Sequence, residues 1–215
     1  MKRVKGNKVF LALIIMLAVL GTVSVSSPCT VQAMSKSAQH RLYKKTMKNY
    51  ARKVKASYKR NSVGLSTRTP KVLYLFVDID KNGTDELIMR YGYGVDRNTA
   101  VSSGYGESTT IYTIKKGKVI TVLDHTNVNP LCHDNFVRIF KNRSRIDMGL
   151  SHGYDDHLFC KYSNGKLYTR KNTIWMTATD NSARYNDKKI SFSTYRKKYN
   201  YLTNNRKGYI MKYYK

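Results

Sequence analysis

The sequence predicts an α+β fold: an N-terminal amphipathic helix packed on a mostly antiparallel β-sheet or meander, followed by a short C-terminal helix. Three observations predict it. An apolar stripe at helical spacing runs through residues 35–60, a succession of short β-rich runs separated by turn residues fills 72–177, and helical spacing returns at 192–202. Strands grouped between two helical segments suit α+β rather than the strict alternation of a parallel sheet. No internal repeat of fixed period is present.

In residues 35–60, Tyr43, Met47, Tyr50, Val54 and Tyr58 recur three or four apart, and Leu42 and Ala51 widen the stripe. The opposite face is almost entirely Lys and Arg. Such a helix either packs its aromatic stripe on its own sheet or lies on an anionic membrane surface; the first is the expectation. Residues 61–70 form a polar connector broken by Gly64 and Pro70. Strands are then expected at 72–79 and 86–92, and a hairpin at 109–114 and 119–123 around Lys115-Lys116-Gly117. Two further runs occupy 136–141 and 145–150. Residues 157–162 and 166–169 flank Asn164-Gly165, a pair suited to a type I′ turn because both central residues need positive φ. Residues 172–177 add a strand, and Gly94 to Gly106 is a Gly/Ser-rich loop. Ser191 or Ser193 is placed to N-cap a helix carrying Phe192, Tyr195, Tyr199 and Leu202 on one face. Residues 209–214 read as an edge strand or a frayed end.

The chain has 215 residues, with 40 Lys+Arg against 13 Asp+Glu and a formal net charge of +27. A hydrophobic fraction of 41% with 12% aromatics excludes a disordered basic tail. Residues 1–33 read as a secretory signal peptide: Lys2, Arg3, Lys5 and Lys8 precede the apolar run 9–20, and Val31-Gln32-Ala33 fits cleavage after Ala33. That run is short for a membrane span. The expected organisation is 1–33 signal peptide, 34–70 basic helix and connector, and 71–215 β-rich domain, the last two forming one globular unit. The expected location is extracellular, with wall association.

All 13 acids lie between Asp78 and Asp187, so the basic excess belongs to the two ends of the mature chain. Such charge draws polyanions through screened attraction. Export argues against nucleic acid as the partner in vivo and for an anionic cell-wall polymer, an acidic glycan or an anionic lipid surface. Lys44, Lys48, Arg52, Lys55 and Lys59 are the residues expected to face it. After cleavage, Cys132 and Cys160 are left either to pair as a disulfide or to remain as two buried thiols; pairing is the reading taken.

The stretch Phe76-Val77-Asp78-Ile79-Asp80-Lys81-Asn82-Gly83-Thr84-Asp85-Glu86-Leu87 carries a metal-loop pattern. Asp78, Asp80 and Asn82 offer oxygens at every second residue, and Gly83 allows the sharp turn that gathers them. The Thr84 carbonyl and the Glu86 carboxylate can complete the oxygen set that a hard cation such as Ca²⁺ requires. Without an ion the same residues form an Asx-rich turn. The loop resembles the calcium loops of integrin-type β-propeller (FG-GAP) repeats and the first half of an EF-hand loop. It departs from the EF-hand at the twelfth position, Met89, and in its strand flanks. With 112–119 and 162–167, it also makes the chain similar to a group of uncharacterised secreted proteins of Gram-positive, clostridial-type anaerobes. That resemblance implies no activity.

For catalysis, His152-Gly153-Tyr154-Asp155-Asp156-His157 is the other dense polar cluster and supports an alternative reading as a secreted hydrolase, if His152, His157 and a carboxylate converge. The chain has no G-x-S-x-G, H-E-x-x-H or P-loop. Trp175 and the many Tyr suit either a glycan platform or core packing, and the latter is expected. The leading expectation is a secreted, non-enzymatic surface or wall module with a structural Ca²⁺ loop and basic polyanion-binding ends.

Overall fold

Two antiparallel sheets stack between two helices in the computed structural model, which describes residues 34–61, 71–92, 95–101, 108–125, 135–141, 144–150, 155–170, 173–179 and 182–215. Helix α1 spans Lys36–Asn61. Strands β1 (Lys71–Val77), β2 (Glu86–Gly92), β3 (Ser108–Lys115) and β4 (Lys118–His125) form the first sheet. Its edge is completed by β12 (Lys212–Tyr213), giving the order β12-β1-β2-β3-β4. The second sheet contains β5 (Asn135–Ile139), β6 (Arg145–Leu150), β7 (Asp155–Ser163), β8 (Lys166–Tyr168), β9 (Ile174–Ala178), β10 (Ala183–Tyr185) and β11 (Lys188–Ile190). Its order is β11-β10-β9-β7-β6-β5, with β8 also on β7. Helix α2 covers Phe192–Leu202.

Alternation along the strands explains the layering. Leu87, Met89 and Tyr91 of β2 face α1, joining Tyr43, Met47, Tyr50 and Val54 in one buried cluster. Ile88, with Leu73 and Ile111, faces the opposite way and meets Val137, Ile139, Ile146 and Tyr162 of the second sheet. The far side of that sheet presents Phe159 and Met176 to Tyr195, Tyr199 and Leu202 of α2. The aromatic stripe of α1 is therefore sealed on its own sheet. Arg90 is fully buried, and donates to the carbonyls of Val101 at 3.0 Å and, across the sheets, Val137 at 3.0 Å.

Local chemistry accounts for the turns. Asn164 and Gly165 have φ of 49° and 68°, and Lys116 and Gly117 have 50° and 71°, the left-handed pairs that tight hairpins need. Ser191 is the N-cap of α2, accepting from the Thr194 N–H at 3.2 Å. Two features differ from the sequence reading. There are two sheets rather than one meander, because strands such as β2 are apolar on both faces. A further hairpin, β10–β11, turns at Asn186-Asp187 with φ of 47° and 65°. Of the two alternatives for the C-terminal segment, the edge strand holds, with Leu73 opposite Tyr213. The connector 62–70 lies outside the described residues.

Gly149 of β6 lies under the Phe136 ring, where a Cβ would fall 1.8 Å from the ring carbon Cζ. Gly149→Ala is expected to destabilise the protein by about 1–3 kcal/mol, with part recovered by adding Phe136→Leu; urea unfolding of the single and double variants measures both.

Candidate metal centre

β1 and β2 pair in register, with Val77 opposite Glu86, so the intervening loop leaves at Asp78 and closes at Glu86. Asp78 organises the loop from inside. Its Oδ1 accepts from the Asn82 N–H at 3.0 Å and its Oδ2 from the Gly83 N–H at 2.7 Å. Lys81 and Gly83 adopt φ of 61° and 89° to make this wrap possible. At Gly83 the positive φ, not space, favours glycine, since a Cβ there would meet nothing within 4 Å.

Asp80 reaches out to the second sheet. Its Oδ2 accepts from the Asn164 N–H in the β7–β8 turn. Its Oδ1 is buried and accepts no hydrogen bond. Glu86 is fully buried. Its Oε2 accepts from the Ile79 N–H at 2.9 Å and its Oε1 from the Thr113 hydroxyl at 3.1 Å, with the Tyr162 phenol alongside. Burial pushes the Glu86 carboxyl up to about 7, and Asp80 adds to the rise, against the hydrogen bonds that favour the ionised form. Asp78, Asp80 and Glu86 each bring a carboxylate oxygen within 4.8 Å of the others, a cluster that can hold a metal ion.

Asp85 faces away from this cluster and ties the loop to α1. Its carboxylate meets Lys36 Nζ at 2.5 Å and His40 Nε2 at 2.8 Å. Its backbone N–H donates to Gln39 Oε1 at 2.7 Å, and its carbonyl accepts from the Tyr43 hydroxyl at 2.7 Å. Lys36 and Gln39 also donate to the Gly83 carbonyl, each at 3.2 Å. The His40 ring stacks on Phe76 at 3.9 Å and 12°. Lys36, Gln39, His40 and Tyr43, on one face of α1, thus read the loop's backbone and side chain together.

The five expected ligands divide. Asp78, Asp80 and Glu86 converge. Asn82 is exposed, and its Oδ1 is taken by the Thr84 N–H at 2.7 Å, which is the Asx-turn arrangement. Thr84 enters that contact through its amide. Sequence reasoning missed Asp85, Thr113, Tyr162 and Asn164; the turn pair Asn164-Gly165 was the one local signal, and it did not point to the loop. Gly165 also lies so close to β3 that a Cβ would sit 2.9 Å from Thr113 Cγ2.

Lys44, Lys48, Arg52 and Lys55 are exposed along the outer face of α1, while Lys59 belongs to α1 with its side chain outside the described residues. Cys160 is buried; its Sγ points to Met148 Sδ at 3.9 Å and burial pushes the thiol up to about 11. Cys132 lies outside the described residues. His157 is 3% exposed, with Nδ1 2.9 Å from Asp147 Oδ2 and its ring 4.8 Å from that of Tyr199. It is a core histidine covered by α2; His152 lies outside the described residues. No family model, curated protein or solved structure matches this chain.

Because Glu86 titrates near 7 in the fold and near 4.5 when unfolded, the folded state holds its proton over a wider range. In chelator, this group lowers stability as pH rises from about 4.5 to 7, and the penalty is complete above that range. Glu86→Gln is expected to remove this contribution, so the stability difference between variant and wild type shifts towards the variant across that window in urea titrations.

Proposed function

We propose that the protein is an exported, non-enzymatic module of the cell surface or wall, in which a Ca²⁺ ion in the acidic loop secures a basic helix that binds an anionic polymer. The observation that carries this reading is the construction of α1. Tyr43, Met47, Tyr50 and Val54 are buried on the sheet, Lys44, Lys48, Arg52 and Lys55 are left exposed, and the first turns are fastened to the carboxylate loop. A helix immobilised this way offers several cations at fixed spacing without losing its own anchorage.

The ion favoured is Ca²⁺. Three carboxylates, with no nitrogen or sulfur donor beside them among the described residues, suit a hard cation. The buried Asp80 Oδ1, which accepts no hydrogen bond, supports a cation in the cluster. The ion offsets the mutual repulsion of Asp78, Asp80 and Glu86 and keeps Glu86 ionised at neutral pH. Met89, at the twelfth loop position, is fully buried towards α1 and supplies no ligand, which favours the roughly 10⁻⁴–10⁻³ M affinity of extracellular modules. The exposed cations then meet phosphate or carboxylate groups of the polymer by screened attraction.

At about 10 mM Ca²⁺, that affinity stabilises the fold by roughly 1.4–2.7 kcal/mol. The melting temperature is expected to rise with Ca²⁺ over EDTA and to be insensitive to either in Asp78→Ala; an equal response in the variant contradicts the ion site. Replacing Lys44, Lys48, Arg52 and Lys55 together by Gln is expected to abolish retention on an anionic wall polymer. Raising salt to about 1 M, where screening acts within roughly 3 Å, is expected to do the same to the wild type. Retention that persists through both changes contradicts the polyanion reading.

A further inference from the structure

A groove of about 380 Å³ opens between α1 and the edge of the first sheet. Thr46, Asn49 and Lys53 line it from the helix, and Tyr112, Thr121 and Asp124 from β3 and β4. Its volume lies at the small end of the roughly 300–1,000 Å³ typical of small-molecule sites. Its walls are dominated by hydroxyl, amide and charged groups, with the half-buried Tyr112 supplying ring surface and the buried Tyr50 and Val54 the floor.

The composition of this wall depends on a backbone irregularity. Along β3 and β4, Ile111 pairs with Leu123, but the next residue, Tyr112, pairs with Thr121. The ladder therefore contains a bulge at Val122. Strict alternation would send Thr121 and Asp124 to opposite faces of the strand. The bulge lets Val122 and Leu123 both pack into the core between the sheets. Thr121 and Asp124 both turn to the α1 side as a result. Bulges of this kind re-aim side chains beside functional sites. Asp124 is the one acid among the groove residues, opposite a helix that contains none. The Thr110 hydroxyl donates to Asp124 Oδ1 at 3.2 Å and orients the carboxylate.

We propose that this groove is a saccharide subsite, taking one ring of an acidic glycan. Tyrosine ring surface suits the C–H face of a sugar, whose own edge is wet. The Asp124 carboxylate, with Thr121 beside it, accepts ring hydroxyls in charge-assisted hydrogen bonds. Lys53, exposed at the rim, meets the acid substituent, and the outward cations of α1 hold the neighbouring units. The inference rests on the polyanion reading and narrows the polymer to one that carries sugar rings.

The test is calorimetric titration of the purified protein with two probes: an oligosaccharide of alternating uronic acid and N-acetylhexosamine, and polyglutamate of matched charge. The expected result is tighter binding of the oligosaccharide. Asp124→Asn and Thr121→Val should each weaken it about tenfold while leaving polyglutamate binding and the melting temperature unchanged. In the wild type, the oligosaccharide alone should move the amide resonances of Thr110 and Tyr112. Equal binding of both probes, insensitive to both variants, overturns the subsite and leaves the polyanion reading standing. Oligosaccharide binding that the variants weaken, without any polyglutamate binding, supports the subsite and overturns general polyanion binding. Binding of neither probe overturns both.

Discussion

The repulsion among the carboxylates gathered between β1 and β2 is the constraint around which this fold is arranged. Asp78, Asp80 and Glu86 lie within 4.8 Å of one another at their ligand oxygens, and Glu86 is fully buried. A protein with a large basic excess has cations to spare, yet among the described residues the nearby ones pair elsewhere. Lys36 and His40 are spent on Asp85, which points the other way. The cluster is held instead by backbone N–H groups: Asn82 and Gly83 on Asp78, Ile79 on Glu86, and Asn164 on Asp80. Neutral donors orient the oxygens without neutralising them, the arrangement that leaves charge for a cation.

Different members of the loop reach different layers. Asp85 and Gly83 engage the first turns of α1, Glu86 reaches Thr113 of the first sheet, and Asp80 grips the β7–β8 turn of the second. The loop is thus a junction for three of the four layers. Arg90 makes the second junction between the sheets, donating to the carbonyls of Val101 and Val137. Together these polar fastenings fix the rotation of α1. The basic face is consequently presented outward, and its aromatic face is consumed by packing.

Much of the fold was legible because it rests on local rules. The three-and-four spacing of Tyr43, Met47, Tyr50 and Val54 marked the helix and its buried face, and Asn164-Gly165 marked a hairpin. The β10–β11 hairpin escaped because its strands are three residues long and its turn, Asn186-Asp187, carries no glycine. The split into two sheets escaped for another reason: alternation reveals that a strand has two apolar faces but not what each face meets. The same boundary divides the site. Asp78, Asp80 and Glu86 are close in sequence and were readable as a loop. Asn164, Thr113 and the Lys36–Tyr43 contacts are brought in by tertiary packing, and the bulge that turns Asp124 towards α1 leaves no sequence mark.

If an ion in this loop governs the attachment of α1, its effect must appear at the fastenings rather than uniformly. Amide hydrogen exchange with Ca²⁺ and with chelator tests this most directly. The account predicts slower exchange with Ca²⁺ at Gly83, Asp85 and Asn164 and in the first turns of α1, with the α2-covered sheet unchanged. Identical exchange at those amides in both conditions would contradict it, and would leave the loop as an Asx-rich turn whose hydrogen bonds suffice by themselves.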